Sequence, residues 1–240
     1  MDEKELYRRI EEREARYVAV AFPALMRKVY VWMALALVIT SFTAYAVAST
    51  PSILQVIFGN RIVFWGLIIG ELALVWGVTG AINRLSLTTA TMLFVLYSVI
   101  NGATLSVIFL AFSPTVIAKT FLVTAGTFGV MSIIGYTTKA DLSGMGKMLF
   151  MALIGLIIAT VVNIFLQSSM LETIISYVGV LVFVGLTAHD TQKIKQMLVM
   201  ADDRMDEGVQ KVALLGALNL YLDFINLFLF LLRIFGGNRN

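Results

Sequence analysis

The chain contains no cysteine, which excludes disulfides, thiolate metal sites and thiol nucleophiles. It has one histidine, His189, so a multi-histidine metal centre is also excluded. Charge is scarce: only 14% of the 240 residues are Asp, Glu, Lys or Arg, against about 25% in an ordinary soluble domain. There are three prolines, and Pro51 and Pro114 fall between apolar runs, where a missing N–H does little harm. Strand-like alternation is weak throughout, which argues against a β-barrel.

What the chain has is apolar length. It is 59% hydrophobic with a mean hydropathy of +0.89, the composition of an all-α polytopic membrane protein. A bilayer core about 30 Å thick takes about 20 apolar residues per helix. The runs predict seven spans, at 29–49, 61–82, 87–112, 115–136, 147–167, 171–190 and 212–235. Residues 29–240 thus read as one seven-helix transmembrane domain, with residues 1–28 as a cytosolic N-terminal segment and no room for a separate soluble domain. Within that segment residues 2–18 read as a polar helix, with Glu5–Arg9 and Glu12–Arg16 at i,i+4 spacing. The first apolar run is a full span, so no cleavable signal is expected.

The net charge of +3 is modest and placed by loop rather than by patch. Lys4, Arg8, Arg9, Arg13, Arg16, Arg27 and Lys28 precede the first span, and Arg84, Lys139, Lys147, Lys193, Lys195, Arg204 and Lys211 fall in the even-numbered links. The other side holds little beyond Arg61 and Lys119. This is a membrane topology signal with a cytosolic N-terminus, not a nucleic-acid surface. Seven crossings leave the C-terminus outside. A re-entrant last segment would return it to the cytosol, as Arg233 and Arg239 would favour.

Two aspartates break the apolar pattern: Asp190 closes SYVGVLVFVGLTAHD, and Asp223 lies mid-way along GALNLYLDFINLFLFLLRIF. An ionised Asp at a bilayer centre costs about 2.5–3.5 kcal/mol on insertion scales, so such residues ask for a function. Asn219, Asp223 and Asn226 stand at i, i+4 and i+7 on one helix face, which should point into a bundle because lipid offers no hydrogen bonds. That face is either a hydrogen-bonded seam or a functional one, and Asp190 is either a boundary residue or its partner. Two carboxylates within hydrogen-bonding reach cannot both ionise cheaply, so a facing pair shares a proton and acts as a sensor. Glu71 lies within the second span with no basic residue near it in sequence. Arg84 reads as a positive-inside anchor or as a cation that pairs with one aspartate. Asn101 is a seam or pore-lining residue, and His189 sits where it would influence Asp190. Gly66 and Gly70 form a GxxxG pair, a packing signal, and the twelve methionines read as core filler.

Three segments resemble the transmembrane Bax inhibitor motif family, and its bacterial members above all: ELALVWGVTGAINRLSLTTA, HDTQKIK and LNLYLDFINLFLFLLRIFG. The resemblance implies a seven-helix bundle in which the first six helices surround the last. It further implies a pH-sensitive calcium leak governed by the Asp190 and Asp223 pair, which would also offer calcium ligands. Arg84 would be the latch of the closed state, and Glu71, with Asn219 and Asn226, would lie on the ion path. No cofactor is implied beyond calcium as transported or bound ion. The partners are lipid, protons and calcium, and the location is a bacterial inner membrane. The link from Lys193 to Lys211, with Asp202, Asp203, Asp206 and Glu207, departs from the family pattern in length and reads as a solvated loop or a cation-attracting patch.

Two other functions compete with the leak. A regulatory binding partner of a membrane protease or of a cell-death or stress factor would work through helix faces and the N-terminal segment. An intramembrane aspartyl protease also needs two facing aspartates. Against it, Asp223 stands in LYLD rather than GxGD, and Pro23-Ala24-Leu25 precedes the first span. A retinal protein is set aside because the seventh span has no interior lysine.

Overall fold

A computed structural model describes Glu5 and residues 22–200 and 207–237. Most of those residues are helical, with no strand among them. The helices are α1 (Phe22–Ala48), α2 (Pro51–Gly59), α3 (Arg61–Ala81), α4 (Leu87–Leu105), α5 (Ile108–Ala111), α6 (Pro114–Thr137), α7 (Ser143–Leu166), α8 (Ser169–Met200) and α9 (Glu207–Gly236). Among the described residues, seven stretches are long and apolar enough to cross a membrane, at the expected places. In lipid every backbone N–H and C=O must be satisfied internally, and the helix does this within one segment.

The ends carry local signals. Pro51 and Pro114 open α2 and α6, where no intrahelical N–H is needed. Asn60 caps α3, its Oδ1 accepting from the N–H of Ile62 at 2.9 Å and of Val63 at 3.4 Å. Gln167 ends α7 in the left-handed region, at φ 49°.

Several expectations shift. The first helix begins at Phe22 rather than at residue 29, and the polar helix expected over 2–18 lies, apart from Glu5, outside the described residues. The link after the first span contains the short helix α2. The third span is interrupted by a turn at Ser106 and Val107. The sixth does not stop at 190: α8 runs on to Met200, because QKIKQMLVM is made of good helix formers. Asp190 is therefore well inside a helix, not at its boundary. Lys193 and Lys195 belong to α8 and Lys211 to α9, so the long link is mostly helix; Asp202, Asp203 and Asp206 lie outside the described residues.

The helices group into two compact units, Met1–Thr104 with Ile194–Leu218 and Leu105–Lys193 with Asn219–Asn240. In the first, the Cβ that Gly102 lacks would stand 2.6 Å from the Thr40 carbonyl oxygen, so glycine permits α1 and α4 to touch. Thr40 Oγ1 donates to the Ser98 carbonyl at 2.9 Å across the same seam. Glu207 ties α9 to the start of α4, its Oε1 accepting from the Leu87 N–H at 2.7 Å and pairing with Lys211 at 3.1 Å. Gly66 and Gly70 meet no other group within 4 Å, and only 6% of the most apolar stretch of α3 is buried. The GxxxG pair is thus not a packing seam among the described residues.

In the second unit, Gly135 brings α6 against the backbone of Ala188 on α8. The Phe224 ring sits 5.5 Å from that of Phe121 and 5.4 Å from that of Phe128, fixing α9 against α6. Gly179 makes room for Phe230. The seventh span is the most enclosed, with 72% of its most apolar stretch buried, as expected of a helix surrounded by the others.

Candidate functional site

The polar face of α9 opens on a cavity of about 840 Å³ within the second unit, walled by α7, α8 and α9. Asn219, Asp223 and Asn226 line it from α9, and Asp190 from α8. The helical period that put three polar side chains on one face thus also turns that face inward. Asp223 is 5% exposed, and its Oδ2 has no hydrogen-bond partner among the described residues. A buried acceptor left in this state is uncommon and asks for an explanation such as an ion, a water or a proton. Asp190 lies close enough for the two carboxyl charges to act on each other.

Asp190 is anchored. Its Oδ1 lies 2.7 Å from Nδ1 of His189, and the pair is about one-fifth exposed. The imidazole rests on the backbone of Gly146 on α7, and a Cβ at that position would collide with it. Gln192, one turn beyond His189, is buried and holds the loop before α7 at both ends of its amide. Its Oε1 accepts from the Leu142 N–H and its Nε2 donates to the Ala140 carbonyl, each at 2.8 Å. In that loop Asp141 Oδ1 accepts the Ser143 backbone N–H at 2.9 Å, and this bond, then the Ser143 side chain, keeps its carboxyl below the usual aspartate range. The HDTQ segment therefore positions one wall of the cavity as well as Asp190.

Lys147, Lys193 and Arg233 also line the cavity, and Arg233 lies 5.5 Å from the Phe230 ring centre. Sequence reasoning used these cations as topology markers and did not place them at the site; their spacing along three helices gave no sign of convergence. A hard cation such as calcium takes six to eight oxygens. Asp190 and Asp223 offer carboxylate oxygens, and Asn219 and Asn226 line the same space. No cluster of three or more metal-ligating His, Asp or Glu residues occurs among the described residues. The described residues therefore form no closed metal cage.

The other expected residues belong to the first unit. Glu71 is half-buried and accepts from Thr104 Oγ1 at 2.6 Å and from Asn101 Nδ2 at 3.3 Å. Thr104 was missed, since a lone threonine in an apolar helix gives no signal, and it sits beside the interruption at Ser106 and Val107. Arg84 is exposed in the turn that follows α3.

Comparison with known proteins decides the family. A family model described as "Inhibitor of apoptosis-promoting Bax1" (the Bax inhibitor family) matches residues 23–240. The chain belongs to this family. It is 53% identical over 214 residues to the inner membrane protein YbhL of Escherichia coli strain K12, covering 89% of this chain and 92% of that one. A Borreliella burgdorferi protein is 46% identical over 215 residues, covering 90% and 92%. A Rickettsia prowazekii protein is 44% identical over 219 residues, covering 90% of both. This Bax inhibitor family member is an integral multi-pass membrane protein, and the names of these relatives describe no enzymatic activity.

Proposed function

We propose that this protein is a calcium-permeable leak of a bacterial inner membrane, with its N-terminus cytosolic, gated by a proton shared between Asp190 and Asp223. The observation that carries the reading is that both aspartates line one cavity, with Asp223 buried and one of its oxygens unpartnered. An ionisable residue within a membrane span is by default a functional residue, and two in one cavity reinforce each other. With the shared proton in place, the pair carries one negative charge and the bundle is closed. Loss of the proton adds repulsion between carboxylates, loosens α9 and frees oxygen ligands for calcium. Asn219 and Asn226 extend the polar path along α9. The test is calcium flux into proteoliposomes across pH 5.5–8 for the wild type, Asp190→Asn and Asp223→Asn. The reading predicts pH-dependent flux in the wild type that either substitution makes pH-independent. Unchanged flux and pH profile in both variants would sink it.

A second reading is a regulatory partner of another membrane protein; the exposed face of α3, which carries Trp65 and Trp76, would meet either lipid or such a partner. A specific protein that co-purifies with the chain, and still does so with both aspartates replaced, would favour that role. The two can coexist.

A further inference from the structure

His189 is the residue the gating reading leaves without a role. Its ring touches Asp190 on one side and a glycine of another helix on the other. Glycine within a helix is disfavoured by about 1 kcal/mol relative to alanine, so its place at 146 asks for a reason. Gly144 and Gly155 of the same helix meet nothing within 4 Å, whereas a Cβ on Gly146 would run into the imidazole. The ring is therefore held between the α7 backbone and the Asp190 carboxylate. While Asp190 is ionised it can only accept, and Nδ1 then carries the hydrogen, whether the imidazole is neutral or protonated.

We propose that His189, seated by Gly146, is a positioning residue for Asp190: its Nδ1–H holds Oδ1 and leaves Oδ2 as the oxygen available to a proton or a cation. The remaining charged groups lining the cavity are Lys147 of α7, Lys193 of α8, and Asp223 and Arg233 of α9. Only His189 has a described hydrogen bond to Asp190. Such second-layer hydrogen bonds commonly fix the orientation of a ligating or reacting group.

The single histidine makes a direct test practicable. In protein labelled with ¹⁵N-histidine and placed in nanodiscs, one imidazole reports its tautomer without assignment. At a pH where the ring is neutral, the wild type is expected in the Nδ1–H form. Asp190→Ala and Gly146→Ala are each expected to shift it to the Nε2–H form, and Gly155→Ala to leave it alone. An Nε2–H ring in the wild type, or an Nδ1–H ring that survives Gly146→Ala, would overturn the proposal. The functional arm rests on the leak reading. There His189→Ala should raise the calcium concentration for half-maximal flux about tenfold, and His189→Asn, which keeps a donor near Nδ1, should restore it. Gly146→Ala should impair flux in the wild type and be silent beside His189→Ala. A wild type that leaks no calcium defeats the leak reading while the tautomer still decides this one. A leaking wild type matched by His189→Ala defeats the positioning role alone.

Discussion

Replacing Gln192 by methionine removes two hydrogen bonds and almost no volume, so the energetic result can be worked out beforehand. The side chain is 7% exposed and bonds the Leu142 N–H and the Ala140 carbonyl, each at 2.8 Å. A neutral hydrogen bond is worth about 0.5–1.5 kcal/mol net, which gives a range of about 1–3 kcal/mol for the pair. The volume-conserving replacement adds little cavity penalty. Ala140 is exposed and its carbonyl can turn to water, whereas Leu142 is half-buried and its N–H is harder to rehydrate. The Leu142 bond should therefore carry the larger share. Equilibrium unfolding in mixed micelles measures the total, and amide exchange at Leu142 reports the local part. Gln192→Glu keeps the acceptor for Leu142 but sets a second oxygen against the Ala140 carbonyl and, when ionised, buries a charge. It should therefore destabilise at least as much as methionine at neutral pH and less at acid pH, where the protonated carboxyl can donate. A Gln192→Met protein within about 0.3 kcal/mol of wild type, with unchanged exchange at Leu142, would refute the claim that this amide holds the α7 wall.

Three further outcomes are expected. Gly102→Ala should destabilise by about 1–3 kcal/mol, since its Cβ would lie 2.6 Å from the Thr40 oxygen and 2.8 Å from the Thr43 Cβ. Gly66→Ala should be neutral or stabilise by up to about 1 kcal/mol, having nothing within 4 Å; equal losses in the same unfolding assay would contradict the packing described. Asp141 is held below its usual titration range by the Ser143 N–H, so its contribution to the start of α7 is present above the unfolded-state pKa and fades as pH falls through the folded one. Amide exchange at Ser143 should follow that acid-side loss, and Asp141→Asn should flatten it; identical profiles would count against the cap.

The spans were legible because run length and hydropathy are local, and bilayer thickness sets a demand that the chain meets seven times. The inward face of α9 was legible too, because Asn219, Asp223 and Asn226 repeat at the helical period. Other features depended on contacts no local pattern announces. The extension of α8 past Asp190 follows helix propensity after hydropathy has fallen, and a hydropathy reading stops too soon. The turn at Ser106 and Val107 has no proline to mark it. Gln192 and Gly146 acquired roles only through residues 140–142 and 189. Gly66 and Gly70 carry a strong packing motif that meets nothing among the described residues, while Gly102 and Gly135 make the close approaches without one.

The central claim is that Asp190 and Asp223 act as one titrating unit, and the most direct measurement is a double-mutant cycle on calcium flux against pH in proteoliposomes. Groups that share one proton lose their function together, so Asp190→Asn, Asp223→Asn and the double variant should have the same flat pH profile, the second substitution adding nothing. Separate and additive shifts in the two single variants, or a pH-dependent leak that persists in the double variant, would contradict it.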